Sequence, residues 1–161
     1  MNSFINPDKR GHELPEGCKD LIDLLPQPDR AARKAEPLVK IHGYLFRLLH
    51  SAVERRFLMI HSIERSISIW LFRYKGEFRA SISMGAEREQ NVRYLLNQAG
   101  IRLIQDEPMD PGPGKFSRLL TCVLLTDTSE IAQFIPQLLR EGYALPEGAE
   151  LDFSYREKKA A

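Results

Sequence analysis

The side chains in this sequence that could take part in covalent catalysis are two cysteines and four histidines. Cys18 lies in the segment PEGCKDLID, beside Lys19 and close to a predicted helix N-terminus, and both features lower the pKa of a thiol. A cysteine nucleophile also needs a positioned base. His12 is the nearest histidine in sequence, but closeness along a polar tail fixes no geometry. We therefore interpret Cys18 as an incidental free thiol.

The histidines do not follow a metal-binding pattern. His42 and His50 stand eight residues apart on one predicted helix, whereas paired metal ligands on a helix stand four apart. His50 and Glu54 share a helical face, which is more typical of a surface hydrogen bond. His61 stands in an apolar run, and no HExxH or CxxC motif accompanies any of these residues. The sequence therefore predicts no metal site and no cofactor.

The loop from Asp110 to Lys115 contains glycines and a lysine, as a phosphate-binding loop does. Such a loop requires glycine where Met109 stands and serine or threonine where Phe116 stands. We interpret the loop as a connection stiffened by its two prolines. A small cytoplasmic enzyme, or enzyme subunit, that uses Cys18 or a histidine near this loop stays open as an alternative function.

Composition narrows the class of protein further. The chain has 161 residues, of which 43% are hydrophobic, so it is long enough to bury a core. Its 23 basic and 22 acidic residues give a formal net charge of +1, which provides no global attraction to a polyanion or a membrane surface. The N-terminus lacks the apolar stretch of a signal peptide, and Cys122 lies in an apolar run typical of a buried thiol. We expect a soluble cytoplasmic protein.

The chain divides into an N-terminal extension, residues 1–36, and one globular domain, residues 37–161. In the extension, Pro15 is positioned to start a short helix that ends before Pro26. This helix carries the only compact apolar cluster of the extension, which comprises Leu21, Ile22, Leu24 and Leu25. Short apolar helices in polar tails are typical of segments that become ordered on a partner. Docking on the chain's own domain is the alternative.

The globular domain alternates between helical and extended patterns. Period and turn signals predict helices over 37–52, 86–99 and 128–141, with Pro136 kinking the last. Strands are predicted over 57–63, 66–74, 77–84, 101–105, 117–126 and 151–155. Gly100 is placed for a left-handed helix cap, and Asp127 for a helix N-cap. We predict an α+β fold, a mixed β-sheet with two or three helices packed on it.

The order of elements after Glu77 is strand, helix, strand, strand, helix, strand, which is the split βαβ pattern of ferredoxin-like folds. In that fold the first strand has neighbours on both sides. The strand over 77–84 would then have no free edge for the strand over 66–74. The Lys75-Gly76 turn, however, predicts that these two strands pair as a hairpin. Either the sheet has a different order, or the last strand pairs elsewhere.

The predicted hairpin defines the surface of most interest. A two-residue turn places Phe72 opposite Arg79 and Trp70 opposite Ser81, and alternation separates the two faces. One face is an ordinary core face, with Ile69, Leu71, Phe78, Ala80 and Ile82. The other carries Trp70, Phe72 and Tyr74 beside Arg79.

The leading hypothesis is a non-catalytic protein-protein interaction module, such as an adaptor, an accessory subunit or a small regulatory chaperone. It would bind another protein, or itself as a homodimer, through Trp70, Phe72, Tyr74 and Arg79 and through the segment around Leu21 to Leu25. One alternative is that the helix from Leu38 or the N-terminal extension covers the aromatic face. A second is single-stranded nucleic acid stacked on the Trp70, Phe72 and Tyr74 rings.

Overall fold

A computed structural model describes residues 35–110 and 115–158. These residues form seven strands and three α-helices. In chain order they are β1 (Glu36–Pro37), α1 (Ile41–His50), β2 (Arg55–Ser62), β3 (Ile67–Tyr74), β4 (Glu77–Met84), α2 (Ala86–Gln98), β5 (Arg102–Pro108), β6 (Arg118–Val123), α3 (Thr128–Gln137) and β7 (Glu150–Lys158). A 3-10 turn, Leu38–Lys40, leads into α1, and a π-helical turn, Leu138–Gly142, follows α3.

The strands form one sheet in the order β1-β7-β2-β3-β4-β6-β5. The predicted α+β class, with helices packed on a sheet, is confirmed. The expectation of a mixed sheet is wrong, because every neighbouring pair of described strands is antiparallel. The crossover through α2 does join two strands that run in the same direction, β4 and β5. Strand β6 lies between them and pairs with both, so no parallel pair forms.

The position of β7 resolves the conflict over the hairpin. The order β4-β6-β5 follows the split βαβ pattern, but β7, the strand that would complete a ferredoxin-like sheet beside β4, pairs with β2 and β1 instead. The β2-β3 hairpin therefore lies between β4 and β7. The β4 edge left free by this arrangement is the one that β3 occupies.

Helix ends follow local chemistry. Helix α1 ends earlier than predicted, because Ser51 is already extended with φ −70° and ψ 145°. Gly100 follows α2 with φ 71°, the left-handed conformation predicted for it. The carboxylate of Asp127 accepts a 2.8 Å hydrogen bond from the main-chain N–H of Ser129 and caps α3. Pro136 lies inside α3, and the chain continues into the π-helical turn.

The main core lies on one side of the sheet. Helices α1, α2 and α3 all bury their apolar residues there, and the strands contribute Ile69, Leu71, Ala80 and Ile82, each fully buried. These four residues belong to the predicted core face of the hairpin, which is therefore confirmed. None of the helices in the described ranges is long and apolar enough to cross a membrane.

Arg56 is buried in this core, with 1% of its surface exposed. Its Nε donates a 2.6 Å hydrogen bond to the main-chain carbonyl of Leu48, and its Nη1 donates to the carbonyl of Val53. Burial, followed by the nearby Arg73 charge, lowers the pKa of this guanidinium. The guanidinium thus binds the carbonyl of Leu48 in the last turn of α1 and the carbonyl of Val53 in the connection to β2.

Candidate interaction face

The β3-β4 hairpin has the geometry that its sequence predicts. Lys75 has φ 51° and Gly76 has φ 82°, as a type I′ turn requires. Phe72 lies opposite Arg79, and Trp70 lies opposite Ser81. The predicted register is confirmed, and the side of the hairpin that carries the aromatic residues is the side facing away from the three helices.

Strand β2 adds two side chains to the aromatic residues of β3. Phe57 lies opposite Phe72, and Met59 lies opposite Trp70. The ring centroids of Phe57 and Trp70 are 6.2 Å apart, with the rings tilted by 39°. We call the resulting group the aromatic cluster; it comprises Phe57, Met59, Trp70, Phe72 and Tyr74.

Sequence reasoning missed Phe57 and Met59 as members of this site. Their alternation with Leu58 and Ile60 is the signal that separates the two faces of β2. That signal gains meaning only when β2 is known to pair with β3, and a short apolar run does not by itself disclose its partner.

Burial within the aromatic cluster is uneven. Phe57 and Phe72 are each 1% exposed and Met59 is 9% exposed, whereas Trp70 and Tyr74 are partly exposed. The alternative that the helix from Leu38 covers these rings is wrong, because that helix packs on the opposite side of the sheet. The predicted apolar helix of the extension, with Leu21, Ile22, Leu24 and Leu25, lies outside the described residues.

The rest of this face is largely polar. Ser81 Oγ is 3.4 Å from Thr121 Oγ1, which donates a 2.9 Å hydrogen bond to Gln105 Oε1. Gln105 Nε2 in turn donates to a carboxylate oxygen of Glu107 at 2.8 Å. These contacts link β4, β6 and β5. The aromatic cluster therefore occupies the β2-β3 half of the face and adjoins a hydrogen-bonded polar half.

Basic side chains border the aromatic cluster. Strand pairing places Arg156 opposite Phe57 and Arg79 opposite Phe72, and places Arg55 opposite Lys158 one step further along the same face. We call this set the basic rim; it comprises Arg55, Arg79, Arg156 and Lys158.

One member of the basic rim is held against the cluster by two contacts. Arg79 Nη2 lies 3.0 Å from Glu77 Oε1, and the Arg79 guanidinium lies 4.8 Å from the centroid of the Tyr74 ring. A cation over an aromatic face is attracted by the ring's quadrupole. Among the described residues at this end of the face, four side chains are basic and one, Glu77, is acidic.

The residues considered for catalysis do not come together in the described structure. Cys122 is buried on the core side, and burial raises the pKa of its thiol to about 12. His42 and His50 lie exposed on α1, where His50 contacts Phe46. Cys18, His12 and residues 111–114 of the proline loop lie outside the described residues. Among the residues that are described, no group of three or more histidine, cysteine, aspartate or glutamate side chains is placed to hold a metal ion.

An open groove of about 430 Å³ lies at the turn between β2 and β3. His61 and Asp152 are opposed in the β2-β7 pair, and both line the groove together with Glu64 and Arg65. Its lining is mostly polar and carries both signs of charge, so it lacks the apolar surface typical of a small-molecule site.

Comparison of the chain with protein-family models, with curated proteins and with solved structures finds no match. The interaction face is therefore interpreted from its own geometry and chemistry.

Proposed function

We propose that this protein is a non-catalytic binding module that holds an apolar, acidic-flanked segment of another protein on the aromatic cluster. The observation that carries the proposal is the one-sided packing of the described helices. All three lie on one face of the sheet, and the opposite face carries the aromatic cluster. Such a face suits an adaptor, an accessory subunit or a small chaperone.

The residue types of this face are those that contribute most to protein interfaces. Trp70 and Tyr74 retain exposed ring surface, and Arg79 lies beside them. Tryptophan, tyrosine and arginine are enriched among interface residues whose removal costs about 2 kcal/mol or more. Tryptophan and tyrosine bury large areas and lose few rotamers, and arginine donates several hydrogen bonds from one planar group. Phe57 and Phe72 are buried neighbours that pack against these two rings. The basic rim favours a partner segment with acidic residues beside its apolar ones.

A protein segment fits this face better than single-stranded nucleic acid does. Base stacking requires ring faces that a base can reach. Phe57 and Phe72 are each 1% exposed, so only Trp70 and Tyr74 offer accessible rings. The formal net charge of the full chain is +1, which gives a polyanion no general attraction.

Selection from a displayed library of 16-residue helical peptides tests the proposal. The affinity of the selected peptides is then measured for the full chain and for its Trp70→Ala and Tyr74→Ala variants. Each substitution should weaken binding at least about tenfold, equivalent to about 1.4 kcal/mol. Phe46→Ala is the matched control, because Phe46 is an aromatic residue on α1 with 67% of its surface exposed. It should leave the affinity unchanged.

Three results would contradict the proposal. Peptides could bind the Trp70→Ala and Tyr74→Ala variants as well as they bind the unmodified chain while circular dichroism shows both variants folded. A single-stranded oligonucleotide could bind with a Trp70 dependence and a steep loss of affinity in salt, which would assign nucleic acid to the face. A light-scattering dimer that dissociates on Trp70→Ala would instead assign a second copy of the chain to it.

A further inference from the structure

We infer that the chain's own N-terminal segment, residues 13–28, occupies the aromatic cluster in the same molecule until a partner displaces it. This inference deepens the proposed function and rests on it for the role of the face. In this inference the N-terminal segment and a partner compete for the same face, so a partner must displace the segment in order to bind.

The first support is the burial of Phe57 and Phe72 within the aromatic cluster. Side chains on one face of a sheet stand side by side, and their tips stay accessible until a second layer lies over them. Phe57 and Phe72 are each 1% exposed. Within 35–110 and 115–158, however, the cluster is built from strand residues alone, and the helices pack on the other face. Trp70 and Tyr74 pack against Phe57 and Phe72 and contribute to this burial, and a helix lying over the face would complete it.

The second support is the length of the chain between the N-terminal segment and the sheet. The described chain begins beside β1, and β1 lies at the edge of the sheet, three strand positions from β3. Strands are spaced by about 4.8 Å, so this separation is roughly 14 Å. Residues 29–34 connect the segment to this edge, and six residues can extend to roughly 20 Å. The connection is long enough to place the helix over β2 and β3 of its own sheet.

The third support is chemical complementarity. The predicted helix carries four aliphatic residues for the aromatic cluster, and these are Leu21, Ile22, Leu24 and Leu25. Around them stand four acidic residues and one basic residue, Lys19, and the acidic ones are Glu13, Glu16, Asp20 and Asp23. The segment is thus net acidic, whereas the rim of the cluster is basic. Asp20 and Asp23 are three residues apart, which places them on one side of a helix.

The chain provides its own pair of spectroscopic probes for a test. Trp70 is the single tryptophan, and Cys18 lies within the proposed occupant. The full chain is labelled on Cys18 with the dansyl reagent IAEDANS, and energy transfer from Trp70 to the label is measured. A Cys18→Ser variant checks that the buried Cys122 takes no label.

The inference predicts strong energy transfer in the full chain. Leu21→Asp combined with Leu25→Asp should abolish most of it, because both substitutions place a charge on the apolar side of the helix. Phe4→Asp combined with Ile5→Asp makes the same chemical change outside the proposed occupant and should leave the transfer unchanged. A large excess of unlabelled chain should also leave it unchanged, because the contact lies within one molecule.

Transfer that is absent, or that is equally strong in the Leu21→Asp/Leu25→Asp variant, would overturn the inference. Transfer that falls when unlabelled chain is added would overturn it too, because the occupant would then belong to a second copy.

Peptide affinity separates the failure of this inference from the failure of the proposed function. If the segment competes for the face, the Leu21→Asp/Leu25→Asp variant should bind a selected peptide about tenfold more tightly than the unmodified chain. Loss of transfer in the variant, with no peptide binding to either protein, would support the resident segment and overturn the binding function. Equal peptide binding to both proteins, without transfer, would support the function and overturn the resident segment.

Discussion

Phe72 of β3 and Arg79 of β4 are directly opposed on the side of the hairpin that faces away from the three described helices, and this pair marks where the aromatic half of the face meets its polar half. The opposition follows from the two-residue turn, which fixes the register of the whole hairpin. Changes at the turn should therefore affect the interaction face as well as the stability of the fold.

Two glycine-to-alanine substitutions, one in the turn and one in α1, should change the free energy of unfolding in opposite directions. Gly76→Ala should lower the free energy of unfolding by about 1–2 kcal/mol, because Gly76 has φ 82° and an added Cβ is strained there. Gly43→Ala should raise it by about 0.5–1 kcal/mol, because Gly43 lies inside α1 and its added Cβ meets nothing within 4 Å. Urea unfolding measures both. Equal effects of the two substitutions would contradict the assigned turn.

Tyr143 provides a test of the core. Its hydroxyl donates a 2.7 Å hydrogen bond to the main-chain carbonyl of Ser83, and burial raises its pKa. Tyr143→Phe should destabilise the protein by about 1–2 kcal/mol, because it leaves a buried acceptor without this donor. Tyr94→Phe, at a tyrosine that is 60% exposed, should change stability by less than about 0.5 kcal/mol. Thermal unfolding of the two variants should separate them, and matching midpoints would show that the Tyr143 contact contributes nothing.

Arg56 should be one of the most sensitive charged positions in the domain. Arg56→Ala removes the donors to the buried carbonyl of Leu48 and the partly buried carbonyl of Val53, so we expect the free energy of unfolding to fall by about 2–3 kcal/mol. Arg140→Ala, at an exposed arginine in the π-helical turn, is the matched control and should have little effect. Denaturant unfolding compares the two. A tolerated Arg56→Ala would mean that water replaces the guanidinium at the end of α1.

Asp106 gives a prediction about pH. Its carboxylate accepts two 2.9 Å hydrogen bonds from Arg93 and one of 2.8 Å from Arg118, and the Arg93 hydrogen bond is the main cause that lowers its pKa. A lowered folded-state pKa stabilises the protein above the unfolded pKa of about 4, and this stabilisation is lost as the pH falls through the folded value.

The measurement is thermal unfolding of the Asp106→Asn variant at two pH values. At pH 7 the substitution should cost about 0.5–1 kcal/mol, a modest amount because the groups are partly exposed. The difference from the unmodified chain should shrink well below pH 4. Glu64→Gln, at an exposed position in the turn after β2, controls for the loss of one carboxylate. If Asp106→Asn lowered stability by the same amount at both pH values, the stabilisation would not come from the ion pairs of the Asp106 carboxylate.

Local features of this fold could be predicted from sequence, since their causes lie within a few residues. The turn at Gly76, the cap at Gly100 and the N-cap at Asp127 each depend on the conformational preference or hydrogen bonding of one residue. The two faces of the hairpin followed from the same turn, which is why the core positions Ile69 and Leu71 were predicted correctly.

Long-range pairing could not be predicted in the same way. Strand β7 pairs with β2, and the two strands are far apart in sequence. This pairing is what makes the strand order differ from that of a ferredoxin-like sheet. Phe57 and Met59 could not be predicted as members of the candidate site for the same reason, because their place depends on the pairing of β2 with β3. The burial of Arg56 was also unexpected, because its hydrogen-bond acceptors are main-chain carbonyls that carry no sequence signature.

The most direct test of the proposed function uses Trp70, the single tryptophan, as a reporter on the full chain. Its emission and its quenching by acrylamide are followed while a peptide selected for binding is added, with the Phe46→Ala variant measured in parallel. We predict a saturable change in Trp70 quenching that gives the same dissociation constant for both proteins. A peptide that binds by calorimetry without altering Trp70 quenching, in both the unmodified chain and the Leu21→Asp/Leu25→Asp variant, would contradict the assignment of the aromatic cluster as the binding face.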